Sequence, residues 1–289
     1  MSSGAQRARI RFHEHRLGDW MRARRAPDGR LSELLLDREL LGYQHSRAQF
    51  ASWLEPPRPQ LTLMIDLDGG LTANGVPLPS AWIGGLDDRP TIVGFGDTYG
   101  SIDLKLTPLG TYTLTGLPLS ELTGACMPLG DVFGGDGTEL ATRVRELTDW
   151  DARFDLVEAF LLARLADGPR PDPAVVWAFE RLCATRGAVR VETLAAELGC
   201  SRRYLSDAFR RQVGLPPKTV ARLLRFQSVR ARIERAPARW GEVAYAAGYA
   251  DQSHLNREFR ELAGITPSDF VRRLVPEGGV VGDGSHGSH

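Results

Sequence analysis

Between residues 191 and 267 the chain writes one pattern twice, and few folds accommodate that. Val191, Leu194, Ala195 and Leu198 fall at i, i+3, i+4 and i+7, the apolar stripe of a short helix, and Gly199 ends it. Ser201 is placed to cap a second helix whose inward side is Leu205, Ala208 and Phe209 and which stops at Gly214. In the second copy Trp240, Val243, Ala244 and Ala247 repeat the spacing, Gly248 closes the helix, and Asp251 caps another with Leu255 and Phe259 inward. The offset is 50 for Leu205/Leu255, Phe209/Phe259, Gly214/Gly264 and Pro217/Pro267, and 49 for Ala195/Ala244 and Gly199/Gly248. The copies therefore differ by one residue in the turn. Two short helices joined by a tight glycine turn, the second polar on its outer face, describe a helix-turn-helix.

One such pair would be ordinary helical packing, but two in register are harder to assign to chance. The outward positions also suit DNA. The first outer face carries Arg202, Arg203, Ser206, Asp207 and Arg210, and the second Gln252, Ser253, His254, Asn256, Arg257 and Arg260. Arg, Gln and Asn hydrogen-bond in pairs to base edges in the major groove, and Ser and His serve bases or phosphates. A merely solvated face would be richer in Glu and Lys. Between the copies, 217–235 reads as one long helix with Val220, Leu223, Leu224, Val229 and Ile233 facing a core. At about 1.5 Å per residue it spans about 28 Å, close to the ~34 Å that separates successive major grooves on one side of a duplex.

These residues resemble a known family. Leu205, Phe209, Gly214 and Pro217, followed by Ala244, Gly248, Tyr249, Asp251, Ser253, Arg257, Phe259, Gly264, Thr266 and Pro267, are similar to the signature of AraC/XylS-type transcription regulators. The likeness covers about the last third of the chain, and GYADQSHLNREFRELAGITPSDF is its most specific part. The resemblance implies a seven-helix domain. It puts Arg203, Ser206 and Asp207 at the base-reading positions of the first unit, and Gln252, Ser253, His254 and Arg257 at those of the second. Arg202, Arg210, Arg211, Arg239, Asn256 and Arg260 are the expected phosphate contacts. Asp207 departs from the family's usual basic or neutral residue, and either accepts from a cytosine amino group or orients Arg203. His254 and Asn256 also depart, standing where hydrophobic or small residues are common.

Charge separates the same segment from the rest. Residues 172–275 hold 18 Lys+Arg against 11 Asp+Glu, a balance of +7, and the remainder, 18 against 25, carries −7. A basic domain supports polyanion binding, because neutralised phosphates release counterions. The three cysteines, Cys126, Cys183 and Cys200, make no metal-type pair and are too few for a disulfide framework, so buried reduced thiols are expected. His13 and His15 form an HxH pair, but a cupin-type metal site needs a carboxylate and a further His, and His45 has no paired ligand. No metal, cofactor or catalytic group is expected. The N-terminus lacks the apolar core of a signal peptide, and no apolar run approaches the ~18 residues of a membrane span, so the expected location is cytoplasmic.

The N-terminal part is harder to read. Leu34 to Leu36 with Leu40 and Leu41 leaves strand and helix open. From Leu61 the pattern is β: LTLMIDL, the Asn74-Gly75 hairpin pair, then AWIGG, TIVGF, SIDLKL and TYTL, separated by Asp, Pro and Gly. After Gly137, two helical stripes follow: Leu140, Val144 and Leu147, then Phe154, Val157, Phe160, Leu161 and Leu165. This helix pair is either a dimer seam or a cover for the strands. The expected fold class is α+β: a β-barrel or cupin-like sensor domain, 1–167; a proline-rich linker, 168–173; a double helix-turn-helix domain, 174–275; and a disordered tail, 276–289. Loosely, 61–131 also resembles the sensor domains of actinobacterial members of the family. A small-molecule effector would sit among Trp53, Trp82, Phe95 and Tyr99, with His45, Arg58 or Arg89 as anchors. The expected function is a sequence-specific transcription regulator, activator or repressor, with double-stranded DNA as partner, RNA polymerase as a further candidate partner, and a homodimer as one assembly. The alternative is a cupin-like or cysteine-dependent enzyme fused to a DNA-binding module.

Overall fold

The computed structural model of the chain describes residues 10–14, 20–45, 52–234, 239–274 and 280–281. The side chains of His13 and His15 lie outside that description. Strands β1 (Arg11–Glu14), β2 (Trp20–Arg25), β3 (Leu40–His45), β4 (Ser52–Glu55), β5 (Leu61–Asp66), β6 (Thr72–Ala73), β7 (Val76–Pro77), β8 (Ala81–Gly84), β9 (Thr91–Gly94), β10 (Tyr99–Leu106) and β11 (Cys126–Pro128) build two antiparallel sheets. Their orders are β1-β2-β3-β10-β5-β8-β11 and β4-β9-β6-β7. The Asn74-Gly75 pair turns β6 into β7 with φ of 51° and 80°, the left-handed pair that a two-residue hairpin needs.

Alternation along the central strands divides the domain in two. Leu61, Leu63 and Ile65 on β5 lie opposite Leu106, Leu104 and Ile102 on β10, and all six belong to the main core. Met64 points the other way, and with Leu71 and Trp82 makes a second, smaller apolar cluster against Val93, Phe95 and Tyr99. One face of the large sheet thus meets helices, and the other meets the small sheet.

The helices are α1 (Pro108–Thr115), α2 (Leu129–Phe133), α3 (Gly135–Glu146) and α4 (Trp150–Asp167). The alternation in TYTL predicts a strand, and α1 corrects it. Thr107 Oγ1 accepts the Gly110 N–H at 3.2 Å, Pro108 brings a helical φ to the first turn, and Gly116 ends the helix at φ 68°. Start and stop signals outweigh a four-residue alternation. The stretch left open at 34–41 resolves as well: Leu35 bridges to Leu106, and Leu40 and Leu41 open β3.

Helices α3 and α4 cover the large sheet within the chain, with Leu140, Val144, Phe154, Val157 and Leu161 all buried. Trp150 lies so close over β3 that a Cβ at Gly42 would stand 2.1 Å from its ring, which explains the glycine there. Arg25, 5% exposed, fastens β2 to α4 through Asp155 at 2.7 Å, Glu158 at 3.2 Å and Asp151 at 3.4 Å.

The C-terminal half holds α5 (Pro173–Ala184), α6 (Val191–Glu197), α7 (Arg202–Val213), α8 (Pro217–Ile233), α9 (Trp240–Ala246), α10 (Gln252–Ala263) and α11 (Pro267–Arg273). Pro173 begins α5, so the connection from α4 is 168–172. The core runs through Phe209, Val220, Phe226 and Phe259, and Phe259 meets the Phe226 ring at 4.9 Å and the Phe270 ring at 5.4 Å. A structureless 276–289 does not hold at Val280 and Val281. The Leu54 N–H donates to Val280 O at 2.8 Å, Trp53 bridges to Val281, Leu274 bridges to Val280, and Val280 is 1% exposed. An apolar Val-Val pair passing the edge strand β4 gains both hydrogen bonds and burial, which composition alone did not signal.

Candidate nucleic-acid interface and sensor cluster

Each expected recognition helix has the caps that its sequence calls for. Ser201 accepts the Tyr204 N–H at the start of α7, and Asp251 accepts the His254 N–H at 2.7 Å at the start of α10. Gly214 at φ 99° and Gly264 at φ 72° end them with the left-handed backbone that a side chain resists. Their polar faces are open. Arg202, Arg203, Asp207, Arg210, Arg211, Gln252, Ser253, Arg257 and Arg260 are exposed, and Ser206, His254 and Asn256 are half-buried. Arg203 Nε stands 3.9 Å from Asp207 Oδ2, close enough for the carboxylate to bias the arginine's orientation. Arg202 pairs with Glu192 and the exposed Arg239 with Glu242, so each would exchange a partner to meet a phosphate. His254 stacks edge-on against Tyr249, with Nε2 4.0 Å from Glu258, and is less exposed than the neighbouring Gln252 and Ser253.

Sequence reasoning missed Glu258. It lies on the inward stripe of α10, between Leu255 and Phe259, and is 7% exposed. Its Oε1 accepts the Tyr249 hydroxyl at 2.9 Å, and Arg222 and Arg225 of α8 reach it at 3.4 and 3.5 Å. Burial first, then the Glu258 charge, push the Tyr249 phenol upward, so it stays a donor. A carboxylate at an apolar stripe position was the signal available.

Helices α7 and α10 both also touch the β domain. Thr123 donates to Gly214 O at 2.9 Å, and a Cβ at Gly264 would lie 3.4 Å from Pro90. Gln212, 1% exposed on α7, accepts the Asp172 N–H at 2.7 Å, and Tyr204 donates to the Asp172 carboxylate at 3.2 Å. Arg222 links Asp88 of the β domain at 3.7 Å to Glu261 of α10 at 2.7 Å.

Four of the expected effector residues come together. His45 lies 5.7 Å from Phe95 and 5.6 Å from Tyr99, Phe95 is 5.9 Å from Tyr99, and Trp53 is 6.3 Å from Phe95, centre to centre. Trp82 belongs to the adjoining Met64 cluster. Arg58 stands apart, paired with Glu55 at 3.2 Å. Burial holds the His45 imidazole below its ordinary range, partly opposed by Asp68, and burial pushes the Tyr99 phenol up. The cluster is therefore neutral, aromatic and lightly polar, with the Ser101 hydroxyl donating to Tyr99 Oη at 2.7 Å.

Among the described residues no three His, Cys, Asp or Glu side chains gather as a metal site, and no helix is long and apolar enough to cross a membrane. Burial pushes the Cys126 thiol up to about 11, so it is protonated at neutral pH and a poor nucleophile.

Comparison with known proteins bears on the C-terminal part. Residues 194–273 match the family model described as a helix-turn-helix domain. The chain is 29% identical over 154 residues to a probable bifunctional transcriptional activator/DNA repair enzyme AlkA of Mycobacterium tuberculosis, covering 52% of this chain and 28% of that protein. It is 30% identical over 88 residues to the F1 operon positive regulatory protein of Yersinia pestis, covering 30% of this chain and 29% of that one. The chain thus spans under a third of the length of either relative. ToxT from Vibrio cholerae is similar in structure at a TM-score of 0.46 and 13% identity, over 80% of this chain and 96% of ToxT. The family model for a helix-turn-helix domain thus lies across both helix-turn-helix units, from within α6 to the end of α11.

Proposed function

We propose that the chain is a sequence-specific DNA-binding transcription regulator whose β domain receives a small-molecule effector. The observation that carries the reading is the pair of capped helices α7 and α10, each exposing a polar face rich in Arg and amide or hydroxyl side chains while its apolar stripe is buried. Arg203, Ser206, Gln252, Ser253 and Arg257 read bases; Asp207 orients Arg203; Arg202, Arg210, Arg211, Arg239, Asn256 and Arg260 hold phosphates. His254 contributes from the edge of the reading face. The regulator acts in the cytoplasm without a catalytic step of its own, with RNA polymerase as its downstream partner and a homodimer as its working assembly. The effector lies among His45, Trp53, Phe95 and Tyr99, beside Trp82, where the aromatic contacts support an uncharged or aromatic ligand.

Selection of bound fragments from genomic DNA, repeated with variants, tests the DNA reading. Arg257→Ala is expected to cost about 1–3 kcal/mol and relax selectivity at one position, whereas Arg260→Ala weakens all sequences alike and flattens the salt slope by about one. An Arg257→Ala protein that keeps both affinity and selectivity removes that assignment. For the effector, a metabolite panel read by melting temperature and DNA affinity decides, and silence across the panel counts against a sensor role.

A further inference from the structure

We propose that Arg58 and Arg230 form a binding site for one oxyanion group, the carboxylate or phosphate of a small molecule, at the junction between the β domain and α8. Gln227, Arg230 and Glu234 share a face of α8, and Gln227 Nε2 donates to Pro57 O at 3.1 Å, which lays the segment carrying Arg58 against that face. Arg230 is 4% exposed; its Nη2 reaches Glu234 at 3.1 Å and its guanidinium sits 5.4 Å over the Phe270 ring. Arg58 Nη2 reaches Glu55 at 3.2 Å. After these contacts, Nε of Arg58 and both Nε and Nη1 of Arg230 are sealed from solvent with no hydrogen-bond acceptor. Buried donors on charged groups are ordinarily paired, and three at one junction form a built set.

The electrostatics point the same way. Burial, then the Arg58 charge, lower the Arg230 pKa, and Glu234 and Glu55 only partly offset them. Arg230, 4% exposed at the side chain, is the buried member, whereas Arg58, Glu234 and Glu55, at 33%, 31% and 44%, stand nearer the surface around it. An oxyanion accepting from both arginines satisfies the orphaned N–H groups and separates the like charges, and the planar guanidinium fork suits that geometry. Its occupancy ties α8, the helix between the two helix-turn-helix units, to the segment following β4. This site is distinct from the His45 aromatic cluster, and the proposal stands whether or not that cluster binds anything.

The test titrates full-length protein with inorganic phosphate and, separately, with acetate, ionic strength held constant with chloride, and reads the melting temperature. The expected result is a saturable rise with at least one anion, its half-saturation at least tenfold weaker in Arg58→Gln and in Arg230→Met but unchanged in Arg257→Ala. A response to acetate alone assigns a carboxylate, to phosphate alone a phosphoryl group. The absence of a saturable rise overturns the proposal. So does a rise that survives both junction variants, or one lost in Arg257→Ala instead, which would place the anion on the recognition helix. Because Arg58 is one-third exposed on a surface segment, Arg58→Gln decides the matter even where Arg230→Met perturbs folding.

Discussion

Replacing Glu258 with alanine should loosen the second recognition helix from behind. Glu258 accepts the Tyr249 hydroxyl at 2.9 Å, and Tyr249 is itself only 4% exposed, so the phenol is left buried without an acceptor. That alone costs about 1–3 kcal/mol. The two arginines lose less: Arg222 retains Glu261 at 2.7 Å, and Arg225 retains Gly187 O at 3.1 Å. Their contacts to Glu258 are long and partly solvated, each contributing about 0.5 kcal/mol. The sum is about 3 kcal/mol, which corresponds to a fall in melting temperature of roughly 6–12 °C for a protein of this size. Glu258→Gln keeps an oxygen for Tyr249 and should cost only about 1 kcal/mol, the two weak arginine contacts. Denaturant unfolding followed by tryptophan fluorescence measures both variants, and the DNA affinity of the alanine variant should fall with its stability. If Gln and Ala are equally costly, the Tyr249 bond is not what anchors α10 and the reasoning fails.

Gly42→Ala drives a Cβ to 2.1 Å from the Trp150 ring, so one of β3 and α4 must move. Overpacking of this kind should cost about 3 kcal/mol, and a melting temperature within a degree of the parent would refute the contact. His45 is held neutral by burial in the folded chain, whereas the unfolded chain takes up its proton below about pH 6.5, so the stability tied to that neutral ring is present above this pH and is lost as the pH falls through it. Stability measured from about pH 7.5 to 5.5 should decline less steeply in His45→Gln, and parallel curves would contradict the assignment. Val280→Asp puts a carboxylate where the side chain is 1% exposed, forfeiting about 1.5–3 kcal/mol of burial. Trypsin should then cut after Arg273 markedly faster, and unchanged cleavage would mean that the Val280 contact with β4 does not hold this segment.

The helix-turn-helix half was legible because period, cap and stop agree at each helix: Ser201 with Gly214, and Asp251 with Gly264. Strands β5, β8, β9 and β10 were legible from short β-rich runs between turn residues. Helix α1 was not, because TYTL alternates over too few residues to outweigh Thr107, Pro108 and Gly116 on either side. The members of the aromatic cluster were named from residue type and then met in space, yet Arg58 joined the domain junction instead, since nothing local encodes which sheet edge a loop arginine turns toward. Val280 was lost for the same reason: two valines among glycines acquire meaning only beside Leu54, more than two hundred residues away in sequence.

That pairing changes what kind of object the helical half is. Leaving the β domain after Asp167 and rejoining it at Val280, the helical portion is an excursion with two feet rather than a bead on a string. The Thr123 bond to Gly214, the Arg222 pair with Asp88 and the Gln227 bond to Pro57 brace it along its flank, so it is held at both ends and along one side. Because the second foot rests on Trp53, itself a member of the aromatic cluster, a molecule that displaced it would release that end while the flank contacts stay in place.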